Sequence, residues 1–298
     1  MLSLPKFQVM KRFTVLIIVV VYIVLAGCSG KKGPNEISVM TLNIRYDNPE
    51  DSVNAWSSRS SIVYDVIRRE KPDLLGLQEV LYHQYNYLDS LLTGYESAGV
   101  GRDDGGRSGE MNPVFYRKDR FNMVRNVTFW LSDTPEVPGS KAWSSSLPRI
   151  VTWTQLVDKK TDEHMFFFNT HFAHDSDTAR IMSARLLMST VDSIAAGFPF
   201  VITGDFNAMP GSETYSLLTG PAESIPLFKD SKDISEENPE GPAYTFNGFS
   251  DEPGSIRLDY IFVSNDMRVL QHRTLMKKEQ GVFVSDHWPV IAVVTTEQ

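Results

Sequence analysis

Acid, amide and imidazole side chains recur in this chain where apolar runs stop. The clearest case is Gly204-Asp205-Phe206-Asn207, which directly follows the apolar run 200–203. Asp205 and Asn207 are two residues apart, so in extended chain both leave on one face and could hold a water between them. The same residues also suit an Asp/Asn turn before Pro210. A second cluster, Ser285-Asp286-His287-Trp288-Pro289, sets an acid beside an imidazole just ahead of the last apolar run. Neighbouring side chains of a strand diverge, so His287 needs another partner. Asp259, an acid inside Arg257-Leu258-Asp259-Tyr260-Ile261-Phe262, is one. A buried carboxylate without a partner is costly, and pairing with His287 would satisfy it and raise the basicity of the imidazole. A nearby arginine would satisfy Asp259 equally well. Asn43, Glu79 and His171 end three further apolar runs in the same way.

Such residues act together only if strands bring their ends to one place. Apolar, β-rich runs recur at 37–44, 73–78, 112–117, 126–131, 150–157, 165–172, 198–203, 257–263 and 288–294. A helix is signalled by Ile62, Val63, Val66 and Ile67 behind Ser57 and Ser58 as possible caps, ending before Pro72. A longer one lies between Ser176 and Gly197, with Ile181, Ala184, Leu187, Val191 and Ile194 at helical spacing and Gly197 where a C-terminal cap belongs. Weaker helices are expected over 83–92 and after Ser212. Helices and strands alternate early and strands follow one another later, which points to a mixed sheet. Runs such as Met165-Phe166-Phe167-Phe168 are apolar on both faces and suit central strands covered on both sides. The glycine-rich, charged segment 102–110 is expected outside the core.

The first residues read as an export leader. Lys6, Lys11 and Arg12 precede an apolar stretch from Phe13 to Leu25 that ends at small residues. Leu25-Ala26-Gly27-Cys28 resembles a bacterial lipobox, which makes Cys28 the lipidated first residue of the mature chain, 1–27 its signal peptide and 28–35 a polar tether. The domain proper is expected over 36–298. Cys28 is the only cysteine, so cysteine nucleophiles and thiolate metal sites are excluded. Loss of the leader's three positive charges moves the formal net charge from −8 to −11. An acidic surface does not steer polyanions, so a nucleic acid would need a local basic patch or a metal.

Leu42-Asn43, Leu77-Gln78-Glu79, Asn169-Thr170-His171, Gly204-Asp205-Phe206-Asn207, Leu258-Asp259-Tyr260 and Ser285-Asp286-His287 resemble, in order, the motifs of the endonuclease/exonuclease/phosphatase (DNase I-like) superfamily. The resemblance implies a four-layer α/β sandwich, two mixed, mainly antiparallel sheets packed face to face with helices outside. It implies a Mg²⁺-dependent phosphoesterase, with Mn²⁺ a possible substitute. Glu79 would be the principal metal ligand, with Asn43 and Asp286 close to the ion. Asp205 would activate the attacking water, Asn207 would orient it, His171 and His287 would hold phosphate oxygens, and Asp259 would orient His287. The choice between Asp205 and His287 as base stays open. The rival set His171-x-x-His174-Asp175 lacks the further partners a zinc site needs.

The superfamily spans nucleases and phosphatases of many substrates, so the loops must choose. Arg102 and Arg107 among the glycines, and Arg149 at the end of the segment from Trp130 through Trp143, are the candidates to receive a phosphate. The chain lacks the Trp-Cys-Asp-Arg type motif of inositol 5-phosphatases. Tyr244-Thr245-Phe246 with Arg257-Leu258-Asp259-Tyr260 is closer to nuclease and deadenylase branches. The expected substrate is a phosphodiester, as in a nuclease, or a phosphomonoester. For an exported monomeric lipoprotein on the periplasmic side of the outer membrane, nucleic acid, nucleotide or a phospholipid headgroup are the reasonable sources. A binding protein without catalysis is the other reading, and the complete residue set speaks against it.

Overall fold

Strand pleating decides which side chains meet. In β1 (Ile37–Asn43), Val39, Thr41 and Asn43 leave one face and Met40 and Leu42 the other. The same alternation runs through β2 (Leu74–Gln78), β7 (His164–His171) and β8 (Phe200–Asp205). These are central strands of two six-stranded sheets in the computed structural model, which describes residues 1–2, 33, 35–220 and 228–296. Cys28, most of the expected leader and most of the expected tether lie outside the described residues. Residues 34–298 make one compact unit.

The remaining strands are β3 (Tyr95–Ala98), β4 (Val114–Arg117), β5 (Phe121–Trp130), β6 (Ile150–Asp158), β9 (Lys229–Asp230), β10 (Asp259–Val263), β11 (Arg268–Thr274), β12 (Lys278–Glu279), β13 (Val282–Phe283) and β14 (Val290–Thr295). The first sheet runs β11-β14-β1-β2-β4-β3 and the second β5-β6-β7-β8-β10-β9. Each has one parallel pair at its centre, β1 with β2 and β7 with β8, and is otherwise antiparallel. A parallel pair needs a crossover. Helix α1 (Trp56–Glu70) provides the first and α3 (Asp177–Ala195) the second.

Those helices lie on the outer faces. Ile62, Val63, Val66 and Ile67 of α1 pack with Met40, Leu42, Leu75 and Leu77. Ala184, Leu187, Met188 and Val191 of α3 pack with Phe166, Phe168, Ile202 and Phe262. Between the sheets lie Val39, Leu74, Val114, Phe167, Val201, Ile261 and Val290. Helix, sheet, sheet and helix form the expected four-layer sandwich. Shorter helices α2 (Tyr82–Leu91) and α4 (Glu213–Thr219) complete it.

Some local expectations need correction. Ser57 and Ser58 lie inside the first turn of α1. Ala55 is its N-cap and makes no side-chain bond, because a 3-10 turn at Pro49–Asn54 feeds the chain directly into the helix. Ser176 does cap α3, accepting from the Ala179 amide at 3.1 Å. At the other end Ala196, with φ 47°, takes the left-handed cap ahead of Gly197. The missed strands β3, β9, β11, β12 and β13, and the early start of β5 at Phe121, are all sheet edges, β12 and β13 forming a two-stranded sheet of their own. Edge strands are half-exposed and carry no continuous apolar run.

The inter-sheet layer changes character along its length. Beyond the apolar residues comes a buried polar clamp. The Gln78 amide nitrogen donates to Asn169 Oδ1 at 2.6 Å and to Thr41 Oγ1 at 3.0 Å. Thr203 Oγ1 donates to Asn169 Oδ1 at 3.1 Å. Asn169 Nδ2 in turn donates to the carbonyls of Leu77 and Pro113 at 2.7 and 2.9 Å. The clamp occupies the space a side chain on residue 76 would need: a Cβ there would stand 2.1 Å from Thr203 Oγ1 and 2.6 Å from Asn169 Oδ1. Gly76→Ala should therefore cost about 2 kcal/mol by overpacking. Asn169→Ala, which strands several buried partners, should cost about 3 kcal/mol. Urea denaturation measures both, and an unchanged midpoint in either variant contradicts the clamp.

Candidate functional site

The next residues outward on the inward faces of β1, β7 and β8 are polar, and Glu79 joins them through a left-handed residue just after β2. Asn43 ends β1, Glu79 follows β2, and His171 and Asp205 end β7 and β8. In the register, His171 is paired with Asp205 and Asp205 with Asp259. Asp259 is the first residue of its strand, not an interior one as its surroundings in sequence suggested. β10 runs antiparallel to β8, so its beginning reaches the end where the other strands finish. Asp286 and His287 arrive on the loop just before β14. All of the expected catalytic and metal residues thus converge from both sheets.

The side chains interlock. Asn43 Nδ2 donates to Glu79 Oε1 at 2.9 Å and to Asp205 Oδ2 at 3.0 Å, and Asn43 Oδ1 accepts from the Arg45 amide at 2.9 Å. The Arg45 bond fixes the amide's orientation. Asn43 therefore bridges two carboxylates through its nitrogen, next to Glu79, the residue expected as principal metal ligand. Glu79 also accepts from the Tyr46 amide, 3.1 Å from Oε2. Its φ of 60° and the φ of 58° at Arg45 place both residues in the left-handed region. Non-glycine residues are held there at a cost of about 1–3 kcal/mol, a strain that collects at functional sites.

Asn207 has φ 47°, and its amide donates to Asp205 Oδ1 at 3.0 Å. The chain thus leaves β8 at Asp205 and bends through Phe206 and Asn207, so the extended-chain argument for a shared face does not hold. The bend still delivers the amide side chain to the site. Asn207 Nδ2 donates to the Phe172 carbonyl at 3.0 Å and faces His171 Nε2 at 3.1 Å. The carbonyl identifies that atom as nitrogen, so His171 Nε2 accepts and the imidazole proton sits on Nδ1. His171 Nε2 lies 3.5 Å from Asp205 Oδ2.

His287 Nδ1 lies 2.8 Å from Asp259 Oδ2, as the sequence suggested, and its Nε2 lies 3.7 Å from Asp205 Oδ2. The arginine alternative for Asp259 fails because Arg257 pairs with Asp230 at 2.7 Å. Burial by itself would depress the His287 pKa. The carboxylates of Asp259 and then Asp205 overcome it and raise it well above the ordinary histidine value. Burial, opposed by His287 and reinforced by Asp259, pushes Asp205 up to about 7. Burial lowers His171 well below its usual value, with the Arg149 and Arg102 cations adding to the effect. One imidazole is therefore held charged and the other neutral within a single site.

The three arginines separate. Arg107 lies on the exposed part of its loop, 4.6 Å over the Tyr82 ring, outside the cluster. Arg102 is buried, contrary to the expectation that its segment lies wholly outside the core; it pairs with Glu110 at 2.6 Å while its carbonyl accepts from Trp130 Nε1. Arg149 is 4% exposed, and among the described residues its guanidinium donates only to His174 Nδ1, at 2.8 Å. Its Nε and Nη1 are buried without a hydrogen-bond partner, as is Arg102 Nε. Burial and the neighbouring Arg102 charge lower the Arg149 pKa. Glu110, raised by burial, approaches His171 Nδ1 at 3.9 Å. The His174-Asp175 pair is engaged elsewhere, His174 by Arg149 and Asp175 by the Ser146 amide. A groove of about 570 Å³ lined by Arg125, Trp153, Ile194 and Phe198 holds none of these residues.

Sequence reasoning passed over Arg45, Arg59, Glu110 and the Gln78–Asn169–Thr203 clamp. Arg59 falls on a helix and Glu110 in a glycine-rich loop, where charged residues ordinarily face water. Gln78 and Asn169 sat inside the motifs, and only their adjacency to Glu79 and His171 marked them.

Glu79, His171 and Asp205 present ligand atoms that all lie within 4.8 Å of one another, and Asp286 adds a buried carboxylate. Oxygen-rich donors of this kind suit a hard divalent cation. Burial raises the Asp286 pKa, with His287 opposing and Glu79 reinforcing, so the site concentrates like charge that a cation relieves. Together the sandwich and this cluster define a metal-dependent hydrolase of phosphate esters.

Residues 40–287 match the sequence profile of the Endonuclease/Exonuclease/phosphatase family. The chain belongs to that family. It is 36% identical to an endonuclease/exonuclease/phosphatase from Bacteroides vulgatus of known structure, with a TM-score of 0.83 over 88% of this chain and 99% of the other. It is 32% identical to the mannosyl-6-phosphatase of Bacteroides thetaiotaomicron, with a TM-score of 0.80 over 87% and 99%. It is also 26% identical to Xenopus laevis nocturnin over 203 residues, 64% of this chain and 49% of that protein. The chain thus spans about half the length of the frog protein.

The charged His287 and the raised Asp205 give the metal-free protein a defined pH response. Both groups bind protons more tightly folded than unfolded, so their contribution is full below the unfolded value of each group. Asp205's share is lost from about pH 4 up to about 7. His287's is lost only as pH rises beyond its ordinary 6.5 through its raised folded value. Through these two groups the urea midpoint in EDTA should fall from about pH 4 upward, and Asp259→Asn should shrink the part of the fall above pH 6.5 by lowering the His287 pKa, which histidine NMR reads directly. A His287 resonance that titrates near 6.5 in both proteins contradicts the pairing.

Proposed function

We propose that this chain is a Mg²⁺-dependent phosphoesterase that cleaves its substrate by in-line attack of water, with Mn²⁺ able to substitute. The observation that carries the reading is the meeting of Glu79, His171, Asp205, Asp259, Asp286 and His287 from both sheets within one hydrogen-bonded cluster. Glu79 and Asp286 would hold the ion, and Asn43 would fix Glu79 and Asp205 beside it. When bound, the ion polarises a phosphoryl oxygen and offsets the charge that develops there. Asp205, held beside Glu79 by Asn43, would take the water's proton as the P–O bond to the leaving oxygen breaks on the far side. His287, held charged by Asp259, donates to a phosphoryl oxygen, and Asn207 orients the water or the phosphoryl group with His171 beside it. This assigns the base role to Asp205 and leaves His287 as a donor.

Among phosphate esters, the buried guanidinium of Arg149 favours a terminal phosphate. A monoester dianion offers one more charge and one more free oxygen than a diester, which suits Arg149 and Arg102 with their unpaired N–H groups. The likeness to a mannosyl-6-phosphatase supports the same choice. A nuclease-like diesterase is the second reading, supported by the motif pattern around Asp259. Nucleic acid, nucleotides and phospholipid headgroups remain its substrate classes. We further infer from the leader and Cys28 that the enzyme is an exported, lipid-tethered monomer on the periplasmic side of the outer membrane. No helix among the described residues is long and apolar enough to cross a membrane.

Hydrolysis of p-nitrophenyl phosphate and bis(p-nitrophenyl) phosphate tests the reading. Release should require Mg²⁺, vanish in EDTA, and fall about 10³-fold in kcat for Asp205→Asn. Arg149→Met should raise KM for the monoester by about tenfold or more and leave the diester less affected. Equal effects on both esters would remove the monoester preference. Metal-independent turnover would overturn the mechanism.

A further inference from the structure

Arg59 is fully buried in the first turn of α1, and its hydrogen-bonded partners are all backbone carbonyls. Nε donates to Asn54 at 2.5 Å, Nη1 to Ile44 at 2.6 Å and to Val284 at 3.2 Å, and Nη2 to Arg45 at 3.2 Å. The Trp56 and Phe249 rings flank it at 5.6 and 5.8 Å. A buried guanidinium is expensive to desolvate, and a helix face that needed only packing would use an apolar side chain there. The segments it ties are informative. Ile44 and Arg45 directly follow Asn43, and Val284 directly precedes Ser285-Asp286-His287. Asn54 reinforces the junction by accepting from the Phe283 amide at 3.1 Å, and Ser285 Oγ closes it by donating to the Asn43 carbonyl at 2.6 Å. Asp286 is the leading carboxylate that offsets the Arg59 charge, followed by Asp51.

We propose that Arg59 is a positioning residue of the metal site: its fork locks the loop after Asn43 to the loop before Asp286 and thereby sets how tightly a divalent cation is held. The inference rests on the reading of Glu79 and Asp286 as the residues that hold the ion. Two effects of Arg59 oppose each other. Its charge repels a cation, whereas its fork fixes the spacing between the carboxylates that bind one. Groups that orient metal ligands are worth about 10- to 100-fold in affinity. Four hydrogen bonds tie the fork to both loops and to Asn54, and on this proposal their effect outweighs the repulsion.

The test is a Mn²⁺ titration of the whole chain in detergent, with free Mn²⁺ read by EPR. Circular dichroism of each metal-free variant establishes folding. Arg59→Lys keeps the charge and loses the fork, and Arg59→Met loses both. Each should raise the Mn²⁺ Kd about tenfold or more, and the Mg²⁺ concentration needed for half-maximal turnover should rise in step. Asn54→Ala keeps Arg59 and loosens the same junction, and should raise Kd about threefold. Tighter Mn²⁺ binding by Arg59→Met would mean that charge rather than positioning governs, and would overturn the proposal. Wild-type Kd in folded Arg59→Lys would overturn it too, as would wild-type Kd in Asn54→Ala if both Arg59 variants fail to fold. If Glu79→Gln leaves wild-type Mn²⁺ binding intact, the metal-site reading itself falls.

Discussion

Crowding of like charge at one end of the sandwich is the constraint around which the site is organised. The buried carboxylates of Asp205, Asp259 and Asp286 meet the half-buried Glu79, where repulsion between carboxylates is strong. Three devices relieve it. Asp259 shares the charge of His287, Asn43 places one amide nitrogen between Glu79 and Asp205, and Asp205 itself retains a proton up to about neutral pH. A divalent cation would be a fourth. The arrangement is therefore better suited to receiving positive charge than to standing alone, which is how metal affinity and catalysis come from the same residues.

Such a cluster needs a frame that does not yield, and the layer between the sheets supplies one in stages. Val39, Leu74, Phe167 and Val201 make a dry contact, then Thr41, Gln78, Asn169 and Thr203 cross it with directional bonds, and only then do the chemical groups appear. The polar clamp fixes the lateral register of the two sheets, which apolar packing alone would leave free to slide. Since Asn43 belongs to one sheet and Asp205 to the other, that register determines whether Asn43 can bridge to Asp205 at all.

The side of the site near Arg149 has the opposite balance. Arg102 and Arg149 are both buried. Arg102 pairs with Glu110 at 2.6 Å and lies 3.9 Å from the more exposed Asp103, whereas Arg149 makes no ion pair among the described residues, so its positive charge is left over beside the carboxylates. Surplus negative charge at one side and surplus positive charge at the other form a gradient across a few residues. A phosphate ester with its metal spans such a gradient naturally, its oxygens toward the arginines and its counter-ion toward Glu79 and Asp286.

Local pattern in the sequence pointed to a mixed sheet with covered central strands and put polar residues at strand ends. The four-layer sandwich and the grouping of those residues into one site came from the resemblance of the motifs to a family. Two-sided apolar runs define central strands, and a polar residue that ends such a run is confined to the rim of a packed layer. The sequence also showed that Asp259 needs a partner, with His287 or an arginine as candidates, and the structure chose His287 by engaging Arg257 with Asp230. Edge strands escaped detection because half-exposed chain has no such pattern. Tertiary structure decided what depends on orientation and on neighbours far apart in the chain. It turned Asn43's nitrogen rather than its oxygen toward Glu79, set Asn207 in a left-handed bend, and separated Arg107 from Arg102 and Arg149. It buried Arg59 among carbonyls up to 225 residues away. No spacing along a single chain encodes that last contact, because it exists only once two loops have been brought together by the sheets beneath them.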